Sequence, residues 1–224
     1  MSRKRDHNSQ ALPPSQSLQH LNEEKLVGDL INLILSYEHK HHPIKRADLL
    51  NAMGKEAIGG SKHLQKYVNI AKEKLKVVFG YDLIEIEGPR YILLNTLPEN
   101  EKLSIDWKDE FPRMGLLYAM LASVYMTGGQ MAVSVLANVA EGFTTGQNFG
   151  DINKLISSDW VHQGYFTLVK SECGLEVTWG PRAHHAIDKK ELLKFVADVY
   201  ESDISDWRQQ YRELYQTPSN NVES

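Results

Sequence analysis

One order of elements occurs twice along this chain, and that repetition most limits what the chain can fold into. Asn22 suits an N-cap, with Glu23 and Glu24 in the first turn, and a helix is expected from there to about Tyr37. Pro43 precedes a short helix, Ile44 to Met53, which Gly54 ends. Gly59 and Gly60 break the chain, and Ser61 caps a third helix. Its Leu64, Tyr67, Val68, Ala71, Leu75 and Val78 fall at helical spacing, and Gly80 stops it. Leu83 to Glu87 alternates, Gly88 and Pro89 turn, and Arg90 to Asn95 returns. Three helices followed by a hairpin is the plan of a winged helix, a helix-turn-helix variant.

A stretch bounded by Pro98 and Pro112 separates this first run from the second. The second run has helices at Met114 to Tyr125, Met131 to Val139 and Ile152 to His162. A hairpin, Tyr165 to Lys170 and Leu175 to Trp179, turns around Glu172, Cys173 and Gly174, and a last helix spans Lys189 to Tyr200. The expected fold is therefore mainly α with short β-hairpins, arranged as two tandem winged-helix domains. The boundaries follow: a disordered N-terminus at 1–20, winged helix A at 21–98, an acidic linker at 99–111, winged helix B at 112–202, and a tail at 203–224 with weaker helical patterning.

Charge sorts the remaining classes. The net charge of -4 opposes a surface that grips nucleic acid all round. The acid excess is local: residues 99–110 carry five acidic and two basic side chains, residues 201–224 the same, and residues 21–98 eleven basic against ten acidic. Cys173 is the only cysteine, so no internal disulfide forms and a reducing compartment fits. No apolar run approaches the roughly 20 residues of a membrane span, and no membrane partner is expected. Arg3, Lys4 and Arg5 could serve nuclear import, although from those residues alone an ordinary charged terminus is the better account.

Enzymatic signatures are missing. There is no phosphate loop, nucleophile elbow or dinucleotide fingerprint, so neither catalytic residue nor cofactor is expected. Glu172 beside Cys173 disfavours the thiolate. His39, His41 and His42 lack a Cys pair or a second helical His to complete a ligand set, and read as a surface loop, not a metal site.

Several segments, in order, resemble the MAGE homology domain. They are Pro43-Ile44-Lys45-Arg46-Ala47-Asp48-Leu49-Leu50, Phe79-Gly80-Tyr81-Asp82-Leu83 leading to Tyr91–Leu97, Gly115-Leu116-Leu117, and Trp179-Gly180-Pro181-Arg182-Ala183-His184 followed by Lys189–Val199. The resemblance covers about residues 25–200. The first two segments look most like the branch of the family that serves in the SMC five/six chromosome-maintenance complex. That resemblance implies tandem winged helices without an active site, binding a RING-type ubiquitin ligase and a kleisin, with weak non-specific DNA contact. It also implies a nuclear, chromatin-associated protein, with some in the cytoplasm. Asn153, His162 and Gly164 stand where relatives often carry Lys or Arg, which counts against DNA binding by that helix.

Three sets of residues carry these expectations. The first helix has two adjacent apolar stripes, more than one small core can cover, and the resemblance aligns Ile34-Leu35 with a partner-binding pair. Leu30, Ile31, Ile34 and Leu35 are therefore the expected RING-partner contacts. Leu117, Leu121, Leu193 and Phe195 are expected to line a groove for an amphipathic kleisin helix, although each also suits the core. For DNA the candidates are Lys62 and Lys66 on the third helix, then Lys154, Lys170, Arg182, Lys189 and Lys190, set against the simpler reading of a solvated face. Lys72, Lys74 and Lys76 follow on the same third helix. Two rival functions remain: a winged-helix DNA-binding regulator, and a ligase regulator outside the SMC complex.

Overall fold

The computed structural model describes residues 14–38, 41–54, 59–97, 111–143, 148–172 and 174–216. The chain divides into two compact units between Leu97 and Pro98.

In the first unit, α1 spans Pro14–Glu38 and so begins well before the expected cap at Asn22. A proline opens a helix readily, and neither Gly nor Pro occurs between Ser15 and Leu26 to stop it. Residues 14–20, read from sequence as disordered, are therefore helical; residues 1–13 lie outside the described residues. Ile44–Lys45 forms strand β1, not the start of a helix, and α2 is Arg46–Met53. Long-range pairing overrides local preference here: Ile44 is opposite Tyr91 and Lys45 opposite Arg90, and Ile44 is buried. Helix α3, Ser61–Lys74, runs into a π-helical turn, Leu75–Phe79. The Gly80 N–H bonds the Leu75 carbonyl with the glycine at φ 68°, a left-handed stop. Strands β2 (Tyr81–Ile86) and β3 (Arg90–Asn95) follow, giving a sheet of order β1-β3-β2. Its core gathers Val27, Leu30, Ile31 and Ile34 of α1 with Leu49, Leu64, Val68, Ala71, Leu75, Leu83 and Tyr91.

In the second unit, α4 spans Phe111–Met126, with Pro112 in its first turn. Phe111, expected from sequence to close the linker, is therefore helical, and residues 98–110 lie outside the described residues. Strand β4 is Gln130–Ala132 and α5 is Val133–Phe143. Met131 and Ala132 were expected to be helical; they pair instead with Val177 and Glu176. Helix α6 comprises Ile152–Lys154, a π turn Leu155–Asp159 and Trp160–His162, capped by the Asp151 carboxylate on Lys154 N. Strands β5 (Phe166–Ser171) and β6 (Gly174–Trp179) complete a sheet of order β4-β6-β5. Two helices follow, α7 (Pro181–Ala186) and α8 (Lys189–Val199), the latter capped by Asp188. Residues 203–216 do not stand apart as a tail, and residues 217–224 lie outside the described residues. A 3-10 turn, Ile204–Asp206, leads into α9 (Arg208–Tyr211) and a π turn, Arg212–Gln216. Trp207 packs on the unit's core, and the buried Gln210 amide donates 3.0 Å to the Met126 carbonyl at the end of α4.

Candidate partner-binding surfaces

Helix α1 resolves the question of its two stripes. Leu30, Ile31 and Ile34 all face the core and are packing residues, so they present no surface to a partner. A helix turns about 100° per residue, which leaves the fourth residue, Leu35, half-buried at the rim. On the opposite flank Leu26 and Leu33 lie half-buried. They meet Ala52 and Met53 of α2 in an open groove of about 810 Å³, rimmed by Asn22, Lys25, Asp29, Asn32 and Ser36. Leu26 and Leu33 lie at helical spacing from the buried Leu30, so spacing alone does not separate groove from core.

The kleisin candidates divide in the same way. Leu117, Leu121 and Leu193 are buried, whereas Phe195 is 42% exposed. Its ring meets Tyr118 edge-on at 5.2 Å. Tyr118 and the exposed Met114 are one turn apart on α4, as Phe195 and the exposed Val199 are on α8. Together they form an apolar ridge across two helices. Of these four only Phe195 is among the residues expected from sequence; Met114, Tyr118 and Val199 stand at i, i+4 spacing but carry no signal that separates an exposed apolar position from a buried one.

The cations are more scattered than a phosphate-binding strip requires. Lys62, Lys154, Lys170 and Lys190 are exposed, the last three on separate elements of the second unit. Lys66 donates 2.7 Å to the Glu23 carboxylate of α1. Lys189 donates 2.6 Å to Glu213 and stands over the Tyr125 ring. Arg182 is 4% exposed; its Nε donates 2.8 Å to the Gln163 carbonyl and its guanidinium lies over Tyr165. It is an internal clamp, not a DNA contact, because its charge is committed to closing a turn.

That clamp explains the Trp179–His184 motif. The Trp179 indole donates 2.9 Å to the Leu121 carbonyl. Gly180 sits where a Cβ would overlap the Gly164 carbonyl, and its N–H bonds Tyr165 O at 2.7 Å. Pro181 then starts α7, where a missing N–H costs nothing. His184 packs against Trp179, and burial, helped by nearby Lys189 and His185, holds its pKa below the usual value. The motif builds a corner and presents no nucleophile. Among the described residues, no three His, Cys, Asp or Glu side chains gather as metal ligands, and no helix is long and apolar enough to cross a membrane. His39 and Cys173 lie outside the described residues.

The sequence pattern of the MAGE homology domain matches residues 30–190. The chain belongs to the MAGE family. This MAGE protein is 35% identical over 204 residues to the human non-structural maintenance of chromosomes element 3 homolog, and 32% identical over 203 residues to that of the mouse. Each alignment covers 85% of this chain; it spans 66% of the human relative's length and 71% of the mouse one's. Human melanoma-associated antigen D2 is 31% identical, over 83% of this chain and 32% of its own length. Among solved structures, a chain of an Nse1-Nse3-Nse4 complex superposes with a TM-score of 0.76 at 26% identity, covering 90% of this MAGE chain and 99% of that one.

Proposed function

We propose that this MAGE protein is a non-enzymatic adaptor of an SMC five/six-type complex, made of two tandem winged helices. The first unit holds a RING-type ubiquitin ligase subunit and stimulates it; the second holds an amphipathic kleisin helix. DNA contact is weak and sequence-independent, and the protein works on chromatin in the nucleus. The observation that carries this reading is the likeness, over most of the chain, to a member of a three-subunit Nse complex. In each unit three helices precede the hairpin of a three-stranded sheet, which supports the winged-helix reading.

The surfaces suit these roles. The groove of Leu26, Leu33, Ala52 and Met53, with Leu35 at the other rim of α1, offers the RING partner apolar contact. The ridge of Met114, Tyr118, Phe195 and Val199 offers the kleisin helix anchors at helical spacing. The likeness to melanoma-associated antigens favours a second reading, ligase regulation outside the SMC complex.

Co-expression with RING and kleisin subunits, followed by size-exclusion chromatography, tests the proposal. A stoichiometric ternary assembly is expected. Leu26→Ser with Leu33→Ser should release the RING subunit while the chain stays folded. Assembly with the RING subunit alone would favour the second reading, and assembly with neither would end the first.

A further inference from the structure

The end of α3 behaves as no surface helix end needs to. Leu64, Val68, Ala71 and Leu75 descend into the core at regular helical spacing, and the next residue in that series is Val78. The π turn over Leu75–Phe79 inserts a residue and rotates that position away from the core. Val78 is consequently 67% exposed, beside Val77 at 81% and Phe79 at 42%. Three neighbouring apolar side chains on one tight turn lie in water.

Charge surrounds them. Lys72, Lys74 and Lys76 are all exposed on the preceding turns, with Glu73 the one acid among them. None of the three lysines forms an ion pair among the described residues. Cations near a helix C-terminus favour the dipole, which accounts for lysines there but not for Val77 and Val78. A phosphate backbone would engage the lysines and leave the apolar turn wet. Only an occupant that brings acidic groups and apolar side chains together satisfies both halves of the patch.

We propose that the C-terminal turn of α3, Val77, Val78 and Phe79 flanked by Lys72, Lys74 and Lys76, docks an acidic segment of a partner protein bearing two or three apolar side chains. This surface shares no residue with the α1–α2 groove or the α4–α8 ridge, so the proposal stands whether or not those hold the RING and kleisin subunits.

The test uses the full-length chain and a fluorescein-labelled peptide of about twelve residues, Glu- and Asp-rich with two Leu and one Phe. A control peptide carries Lys in place of each acid. The acidic peptide should bind, and the basic one should not. Val77→Ser with Val78→Ser, and separately Lys72→Glu with Lys74→Glu and Lys76→Glu, should each weaken binding more than about tenfold. All five positions are exposed, so thermal melts should match the wild type. Affinity unchanged by the valine pair would reduce the effect to charge alone and overturn the proposal. So would duplex DNA taking the site, seen as DNA affinity lost on lysine reversal with no peptide binding at all. Replacing Glu99, Glu101, Asp106, Asp109 and Glu110 by Ser asks whether the chain fills the patch itself. A gain of more than tenfold in peptide affinity would assign the surface to this chain's own segment, not to a partner.

Discussion

The Lys66 ammonium donates a 2.7 Å hydrogen bond to the Glu23 carboxylate, tying α3 to α1. That bond holds the lysine above its ordinary pKa. The stability it lends is complete below the ordinary lysine value and is lost as pH rises through the raised one. An ammonium so engaged is a poor phosphate ligand, whereas Lys62 on the same helix is open to solvent. In anisotropy titrations with duplex DNA, Lys62→Gln should weaken binding and reduce the salt slope by about one. Lys66→Gln should change neither, and equal losses for both would contradict this.

Gly180 admits no side chain because the Gly164 carbonyl occupies the space a Cβ needs. A backbone atom cannot swing aside as a side-chain tip can. Gly180→Ala should therefore cost at least about 2 kcal/mol in chemical denaturation. Gly142 is exposed in α5 with no atom near its Cβ position, so Gly142→Ala should be neutral or slightly stabilising. Similar costs for the two would show that close approach is not what Gly180 provides.

Neighbours on α8 should separate stability from binding. Leu193 is fully buried, and Leu193→Ala should destabilise by about 2–5 kcal/mol. Phe195→Ala should leave the melting temperature nearly unchanged yet weaken kleisin binding more than about tenfold. Full affinity in the Phe195 variant would remove the α4–α8 ridge from the interface.

The buried Tyr125 hydroxyl makes no hydrogen bond of good geometry among the described residues, although the Glu213 carboxylate lies close enough to interact with it. Burial first, and the nearby Glu213 carboxylate second, push its pKa far above the ordinary tyrosine value. The folded state keeps this proton while the unfolded chain releases it near pH 10, so stability falls as pH rises past about 10. Tyr125→Phe should flatten that alkaline decline, with Tyr81, Tyr91 and Tyr118, also raised by burial, supplying the remainder. At neutral pH the variant should be as stable as the wild type or gain up to about 1 kcal/mol. An unchanged alkaline slope would count against this.

Local pattern revealed the long helices and both hairpins, because their signals lie within one turn or one strand pair. Ile44–Lys45 and Met131–Ala132 were illegible as strands, since two or three residues carry no alternation and their partners lie some 45 residues away. Val78 kept core spacing in the sequence, but a π turn is decided by how the helix ends and not by which residues compose it. At the candidate sites, hydrophobicity identified residues that matter without telling packing from contact. Leu30, Ile34, Leu117 and Leu193 are core, while the less conspicuous Leu33 and Tyr118 reach the surface. Arg182 read as a free cation because no sequence pattern announces a carbonyl such as that of Gln163 waiting for a donor.

The bond from Gln210 to the Met126 carbonyl joins the chain's last described turns to the first helix of its second unit. During synthesis those two residues emerge far apart in time. The first unit has all its strands by Asn95 and can fold as the ribosome continues. The second must keep the end of α4 uncovered until Gln210 has been made. Until then its surface belongs to chaperones, or to any partner that reaches it first.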